Sequence, residues 1–260
     1  MQNSADKVKN PMTFDLAKGS RKGPVFIVAS GSSARDFPIE RFSEYPTITM
    51  NGAVSLLVEK GLQPSFYICS DVSFPVEQPL LYAQALEHSE NIVLAGSLSR
   101  ANILRKNVFR LSKAPTSSLL RSLLNPEKSH VRNSRFQFGS QRSIGFSKDL
   151  STGYFDARTV AYIAMQLAYH LGFSKVFLVG IDLNPSAGRF YEKNEQAVSP
   201  CNLDAALQRR ILPSLRLMSE HVVNESFKVY NLSATSKIPT SVFPKISVSE
   251  LSDILAAESI

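Results

Sequence analysis

The sequence predicts an α/β fold with a doubly wound, mostly parallel, Rossmann-like sheet and a lid-like loop region. Two observations lead to this prediction. Short apolar runs bounded by turn residues recur along the chain, as expected of strands buried on both faces. Segments with apolar residues at helical spacing separate these runs, which favours parallel strands joined by right-handed crossovers. The chain has 260 residues, of which 43% are hydrophobic, and this is sufficient for one large domain.

The predicted strands of the first half follow one another at short intervals. They are residues 25–29, 47–50, 66–69 and 92–95, with a weaker fifth strand at 108–111. Val54, Leu57 and Val58 lie on one face of a predicted short helix. A second short helix is predicted around residues 80–86. The strand–helix–strand order supports the parallel sheet.

The second half contains the strongest predicted elements. A helix of about five turns is expected to begin at Ser151-Thr152-Gly153 and to end at Leu171, because apolar residues recur there at helical spacing. Gly172 is a natural C-terminal stop. The following apolar run, residues 175–182, is a buried strand that ends in Asp182. The remaining predicted elements are a helical stretch at 203–223 broken before Pro213, a strand at 228–232 and a short helix at 248–256.

Three regions are expected along the chain. Residues 1–23 form a flexible basic N-terminus without the apolar core of a secretory signal. Residues 24–238 form the α/β domain, with a lid at about 183–202, and residues 239–260 form a C-terminal tail. Within the domain, residues 125–150 are polar and basic. We predict a surface excursion there, either irregular or an edge hairpin around Phe136 and Phe138.

Charge and cysteine usage narrow the class of partner. The formal net charge is +7 and the sequence pI is about 9.4, which suits a nucleotide, a nucleic acid or an anionic membrane surface. Cys69 and Cys201 have no disulfide or metal-ligand pattern, so we expect reduced thiols and no metal site. No apolar run approaches the length of a membrane span. We therefore expect a cytoplasmic protein, with peripheral attachment to the inner membrane left open.

Four predicted strands end in small or polar residues. In an open parallel sheet, ligands bind outside the carboxyl ends of the strands, so these ends should line one edge. Gly31 permits a tight turn, and Ser32 and Ser33 offer groups for a phosphate, although a plain tight turn fits as well. The four strand ends are residues 30–33, 51–52, 70–71 and 180–182.

Other candidate residues lie further along the chain. Asp182 could accept hydrogen bonds from a base or ribose, or it could cap a turn. Thr152 and Gly153 stand at the predicted helix start, where free N–H groups favour an anion, or where Thr152 is an ordinary cap. Arg189 and Tyr191, in the predicted lid, could stabilise charge on a departing phosphate, or belong to a solvated loop. Of the four histidines, His130 is the best candidate for a general base, and the other three are expected to be structural.

The segments together resemble bacterial sialyltransferases that use CMP-sialic acid and, more closely, transferases of the lipopolysaccharide-core sugar Kdo. The likeness extends over residues 25–191, and its most specific block is residues 171–182. The other matching blocks are residues 28–33, 50–52, 69–71 and 151–153.

The resemblance implies a metal-independent, inverting glycosyltransferase that uses a CMP-activated acidic keto-sugar and needs no further cofactor. It implies that Asp182 helps to hold the cytidine portion and that Tyr191 binds phosphate. The remaining residues implied near the donor are Gly31, Ser32, Ser33, Asn51, Ser70, Ser151, Thr152 and Gly153. The acceptor would be lipopolysaccharide core or another glycan.

The sequence departs from the sialyltransferase pattern after the lid, where that family supplies a histidine base. Residues 192–212 contain no histidine. Glu192, Glu195 or Asp204 could take its place, or His130 could enter from elsewhere. Two alternatives to the transferase stay open: a non-enzymatic nucleic-acid-binding protein, with Phe136 and Phe138 stacking on bases, and a pterin-type pyrophosphokinase-like phosphotransferase. The absence of any Asp-x-Asp pair counts against the metal-dependent chemistry of the latter.

Overall fold

The computed structural model describes residues 12–96, 98, 107–115, 129–133, 143–184, 188–191 and 203–258. Within them, seven parallel strands form one sheet, and the predicted α/β fold is confirmed. Two further strands pair antiparallel, so the polar excursion does contain a hairpin-like pair. The strands are Pro24–Val28 (β1), Thr47–Met50 (β2), Phe66–Cys69 (β3), Asn91–Ala95 (β4), Asn107–Leu111 (β5), His130–Arg132 (β6), Gly145–Ser147 (β7), Lys175–Val179 (β8) and Lys228–Asn231 (β9).

The strand order places a topological switch point between β1 and β8. Across the main sheet the order is β5-β4-β3-β2-β1-β8-β9, so the chain winds one way from β1 to β5 and then returns to the other side of β1. In open α/β sheets the crevice outside the carboxyl ends of the strands at such a point is the usual ligand site. The turns that follow β1 and β8 are therefore the segments most expected to bind a ligand.

The two faces of the sheet carry different cores because successive side chains of a strand point in opposite directions. Val25 and Ile27 of β1 pack in the larger core, whereas Phe26 and Val28 pack in a second one. Strand β8 alternates in the same way. Burial on both faces explains why these strands read as continuous apolar runs.

Helices cover both faces of the sheet. Helix Val160–Leu171 packs on β1, β2 and β3 and ends at Gly172, which has the left-handed conformation expected of a C-terminal stop. The short helix predicted near the C-terminus is confirmed at Val248–Ala256, where Ser247 and Glu250 form a capping box. The helices are Phe14–Ala17 (α1), Val54–Glu59 (α2), Phe74–Glu77 (α3), Pro79–His88 (α4), Val160–Leu171 (α5), Leu203–Ala206 (α6), Leu212–His221 (α7) and Val248–Ala256 (α8).

The predicted start of the long helix is wrong. The long helix begins at Val160, not near Ser151, because residues 150–152 form a separate 3₁₀ turn. Thr152 and Gly153 therefore do not lie at the N-terminus of α5, and the anion argument based on that position is lost. The break predicted before Pro213 is a π-helical segment, Leu207–Ile211. The predicted phenylalanines of the excursion, Phe136 and Phe138, lie outside the described residues.

The chain packs against the domain from residue 12, before the predicted domain boundary at residue 24. Phe14 and Ala17 are buried in the larger core. The Gly19 N–H donates to the His170 carbonyl, and the Arg21 N–H donates to the Leu171 carbonyl. Residues 12–22 therefore pack along the end of α5, and the part of the N-terminus before residue 12 lies outside the described residues. No helix in the described ranges has the length and apolarity needed to span a bilayer.

Candidate active site at the switch point

The turn that follows β1 is joined to the end of β8 by backbone hydrogen bonds. The Ala29 N–H donates to the Val179 carbonyl, and the Gly31 N–H donates to the Gly180 carbonyl. A Cβ atom at Gly31 would lie 2.5 Å from the Gly180 carbonyl oxygen and 2.6 Å from Asp182 Oδ2. Only glycine fits so close to another chain segment. The two turns on either side of the switch point are thus one packed unit.

The Asp182 carboxylate accepts hydrogen bonds from serines of this unit and of the turn after β9. The residue is 3% exposed. Oδ2 accepts a hydrogen bond from the Ser33 N–H at 3.0 Å and faces Ser32 Oγ at 3.4 Å. Oδ1 accepts from the hydroxyls of Ser33 and Ser233. A buried carboxylate is stable only when such donors surround it, so the serines and Asp182 hold one another in place.

The described part of the predicted lid is fixed to the same turn. Arg189 pairs with Gly31 in an isolated antiparallel bridge. The Phe190 N–H donates to the Ser30 carbonyl at 3.1 Å, and Arg35 donates to the Phe190 carbonyl at 2.5 Å. Residues 188–191 are therefore attached to the β1 turn at several points, and the rest of the predicted lid after Tyr191 lies outside the described residues.

Tyr191 lies over the end of β2. A Cβ atom at Gly52 would be 2.4 Å from Tyr191 Cε1, so the absence of a side chain at Gly52 makes room for the ring. Tyr191 also contributes to the raised pKa of Tyr67 in β3, which is due first to the burial of the Tyr67 hydroxyl. The structure thus brings Tyr191 to the carboxyl ends of β2 and β3, beside the Gly31 turn.

Asn51, directly after β2, adds an unusual polar group at the carboxyl edge of the sheet. Its Oδ1 atom is buried and has no hydrogen-bond partner among the described residues. Asn51 and Leu183, which follow β2 and β8, both have positive φ angles of 46° and 52°. Such angles in non-glycine residues cost energy and cluster at functional sites. A buried acceptor without a partner is also costly, so a ligand that donates a hydrogen bond to Asn51 would be favoured.

The end of β3 contributes Ser70, which is half-buried and follows Cys69. The Asp71 carboxylate is held within its own turn, because its Oδ1 accepts from the N–H and the hydroxyl of Ser73. Burial raises the pKa of the Cys69 thiol to about 12. A thiol that stays protonated is a poor nucleophile, which agrees with a structural role.

The other sequence-predicted residues form a second group beside the chain that follows β5. Tyr154 pairs with Lys113, and Gly153 packs so closely against the backbone of Ala114 that a Cβ atom would lie 2.6 Å from its nitrogen. The Thr152 hydroxyl donates to the Asp149 carbonyl at 2.7 Å and lies 2.8 Å from His130 Nε2. Ser151 donates to Asp149 Oδ1 through its N–H and its hydroxyl.

The contacts of His130 define its tautomer. Because the Thr152 hydroxyl hydrogen points at the Asp149 carbonyl, Thr152 accepts from a protonated His130 Nε2. The second ring nitrogen, Nδ1, lies 3.3 Å from the Arg132 guanidinium, which donates to it. Both ring nitrogens of His130 therefore have partners, and its basic nitrogen faces an arginine.

His170 is buried and structural, as expected. Its Nδ1 accepts from the Leu150 N–H at 3.2 Å, and its Nε2 donates to the Phe14 carbonyl at 2.8 Å. Asp149, which is 3.5 Å from Nδ1, forms an ion pair with Lys18. His170 thus joins the N-terminal segment to the turn that carries Ser151 and Thr152.

This arrangement predicts a loss of stability in mild acid. Burial lowers the pKa of His170 below its ordinary value of 6.5. Below that pH the unfolded chain binds a proton that the folded chain resists, so the free energy of unfolding falls as the pH falls. Asp15, Asp149 and Lys18, the charged groups near the ring, leave this direction unchanged. We expect thermal unfolding to show a steeper fall between about pH 7.5 and about pH 5.5 in the wild type than in His170→Gln.

The control is His221→Gln, which changes an exposed histidine, 58% accessible at its side chain. It should keep the wild-type pH dependence. Equal slopes for the wild type and His170→Gln would contradict the assignment.

Ser233 is the site residue that the sequence analysis missed. It lies just after β9 and donates to Asp182. The rule that functional groups follow parallel strands could have found it, because β9 is one of the predicted strands. No cluster of three or more potential metal-ligating side chains occurs within the ranges that the structure describes.

Fold and site together define a class: a Rossmann-like protein whose candidate site lies at the switch point of a parallel sheet. The family model described as 3-deoxy-D-manno-octulosonic acid transferase WaaZ matches residues 9–249. The chain belongs to this family and is a glycosyltransferase. The family implies a sugar donor and a lipopolysaccharide acceptor.

Two curated relatives support this assignment. A probable 3-deoxy-manno-octulosonic acid transferase of Escherichia coli (strain K12) is 28% identical over 262 residues, covering 94% of this chain and 89% of the relative. A protein of the same description from Salmonella typhimurium (strain LT2) is 27% identical over 252 residues, covering 87% of this chain and 88% of the relative.

A solved structure shares the fold. The MAf glycosyltransferase from Magnetospirillum magneticum AMB-1 superposes with a TM-score of 0.51 at 17% identity. The match covers 93% of this chain but 38% of that protein. At this identity the likeness shows a common fold.

Proposed function

We propose that the protein transfers Kdo, or a closely related acidic keto-sugar, from a CMP-activated donor to lipopolysaccharide core, with inversion and without a metal ion. The observation that carries the proposal is the buried Asn51 Oδ1, which has no partner among the described residues and lies beside the Gly31 turn. A cytidine amino group or a ribose hydroxyl would satisfy it. The family membership supports the sugar, and the resemblance to CMP-sugar enzymes supports the nucleotide.

The chemistry assigns a role to each element of the pocket. The bond between the anomeric carbon and the phosphate oxygen breaks, and its electron pair leaves with CMP. Tyr191 and Arg189 stabilise the negative charge that grows on the phosphate. The exposed Ser32 side chain lies near the phosphate and ribose.

Asp182 takes a positioning role in this proposal. The resemblance implies a direct contact with cytidine, but both carboxylate oxygens face serine donors. The carboxylate acts on the donor through the shape of the serine turn. Ser70 and the Ser151–Gly153 segment extend the donor wall towards β3 and β5.

The acceptor hydroxyl attacks the anomeric carbon from the face opposite CMP and gives its proton to a base. His130 can act as that base once its Nδ1 exchanges Arg132 for the acceptor hydroxyl. The missing Asp-x-Asp pair supports a reaction in which protein groups, rather than a bound ion, neutralise the leaving phosphate.

The test is a transfer assay with purified protein, CMP-Kdo and a lipid A–core acceptor. We expect CMP release and a Kdo-extended product in EDTA at the rate seen with Mg²⁺. Transfer that stops in EDTA, or that requires a different activated nucleotide, would contradict the proposal. A parallel reaction with UDP-activated sugar is the matched control.

A further inference from the structure

The Thr152 hydroxyl lies between the backbone of its own turn and the ring of His130. Its oxygen is 2.7 Å from the Asp149 carbonyl oxygen and 2.8 Å from His130 Nε2. A carbonyl oxygen can only accept, so the single hydroxyl hydrogen belongs to the bond with Asp149. The hydroxyl therefore has no hydrogen to donate to a phosphate, although the resemblance implies that Thr152 contacts the donor.

The turn that carries Thr152 is fixed at both ends. At its start, the Leu150 N–H donates to Nδ1 of the buried His170 at 3.2 Å. Directly after it, Gly153 packs so closely that a Cβ atom there would lie 2.6 Å from the Ala114 nitrogen. A hydroxyl on a turn fixed in this way can hold its partner in one orientation.

The His130 ring also contacts the segment that follows this turn. It stands perpendicular to the Phe155 ring, with the ring centroids 5.2 Å apart and the planes at 88°. Phe155 is buried, and its N–H donates to the Gln166 side-chain oxygen at 3.0 Å. Thr152 and Phe155 therefore both contact the His130 ring, while its Nδ1 atom faces Arg132.

We propose that Thr152 is a positioning residue for the general base and does not contact the donor phosphate. The proposal rests on the proposed function in taking His130 as the base. The acceptor O–H bond breaks, its oxygen forms the bond to the anomeric carbon, and its proton goes to His130 Nδ1. The bond to phosphate breaks, and its electron pair leaves with CMP. The imidazolium then donates through Nε2 to the Thr152 oxygen, which the Asp149 carbonyl polarises by accepting the hydroxyl hydrogen.

The Thr152 oxygen favours the tautomer that this reaction needs. A neutral imidazole carries one hydrogen, and the form with that hydrogen on Nε2 has its lone pair on Nδ1. Because the Thr152 hydroxyl cannot donate to Nε2, it stabilises this form. Arg132 favours the same form from Nδ1, but the acceptor takes the place of Arg132 in the reaction. Thr152 keeps the tautomer and the ring orientation fixed at that point.

The test compares Thr152→Val, which has nearly the same shape but no hydroxyl, with Thr152→Ser, which keeps the hydroxyl. The N–H of residue 152 also donates to the Asp149 carbonyl, at 3.1 Å, so neither change removes the turn. In steady-state transfer assays we expect Thr152→Val to lower kcat at least about tenfold, with the donor KM within about twofold of wild type. Thr152→Ser should recover most of kcat. Thr240→Val, which changes an exposed threonine after Pro239, is the matched control.

A second measurement follows the His130 ring without transfer. The exchange of the imidazole N–H with water is recorded by NMR under conditions in which a histidine is normally neutral, and His130→Gln assigns the signal. A hydrogen-bonded N–H exchanges more slowly than one that faces water. We expect a slowly exchanging Nε2–H signal in wild type and Thr152→Ser, and its loss in Thr152→Val.

The two measurements separate this proposal from the proposed function. Unchanged kcat in Thr152→Val, or a raised donor KM with unchanged kcat, would overturn the positioning role. An Nε2–H signal that persists in Thr152→Val would overturn it as well. If the wild type transfers nothing, the proposed function fails, and the NMR signal alone decides whether Thr152 orients His130.

Discussion

Replacing Asp182 with alanine should abolish most of the transfer activity and lower the free energy of unfolding by about 3 kcal/mol. The change removes the acceptor for the Ser33 N–H and for the hydroxyls of Ser33 and Ser233. Hydroxyls can turn to other partners, but the Ser33 N–H, whose direction the backbone fixes, cannot. The Gly31–Ser33 turn then loses its fixed shape, and a donor that depends on this turn binds poorly.

We expect the loss of stability and activity to be graded across the substitutions of Asp182. Asp182→Asn keeps one oxygen for the Ser33 N–H, and its NH₂ group can donate to the two hydroxyls, so its loss should be intermediate. Asp253→Ala removes an exposed carboxylate on α8 and is the control. Denaturant unfolding and CMP release are the two measurements. If Asp182→Ala is as stable and active as Asp253→Ala, then the carboxylate does not organise the site.

Replacing Gly52 with alanine should reduce transfer about 100-fold while changing the free energy of unfolding by less than about 1 kcal/mol. The new methyl group would lie 2.4 Å from Tyr191 Cε1, so the ring must move. It cannot move with the whole segment, because Arg189 and Phe190 are held to the β1 turn. A displaced Tyr191 no longer meets the leaving phosphate.

Gly96→Ala is the matched control, since a Cβ atom there would meet its nearest neighbour, the Leu111 carbonyl oxygen, at 3.6 Å. The double variant Gly52→Ala, Tyr191→Ala gives the sharper comparison. If ring displacement is the whole effect, the double variant should be as active as Tyr191→Ala alone. Normal transfer by Gly52→Ala would show that the position of Tyr191 is not important.

The central part of the fold could be predicted from local sequence. Strands β1 and β8 are buried on both faces, and their continuous apolar runs carry that information directly. Gly172 ends α5 as predicted, and the predicted helix at 248–256 begins at a local capping box of Ser247 and Glu250. The convergence of Gly31 and Asp182 followed from the rule that parallel strands share one carboxyl edge.

The errors arose where distant contacts decide the local structure. Ser151-Thr152-Gly153 has the composition of a helix start, but Asp149 accepts from Ser151 and closes a separate turn, and Tyr154 pairs with Lys113. The basic N-terminal segment is held by His170, which lies more than 150 residues from Phe14. The local sequence pattern of either segment contains no information about these distant partners.

The most direct test of the account is a calorimetric titration of CMP in EDTA into wild type, Asp182→Ala and Asp253→Ala. The account predicts saturable one-to-one binding to wild type and Asp253→Ala, and at least about tenfold weaker binding to Asp182→Ala. Equal CMP affinity in all three proteins, or no CMP binding to the wild type, would contradict the claim that the strand ends at the switch point form one pocket for the nucleotide.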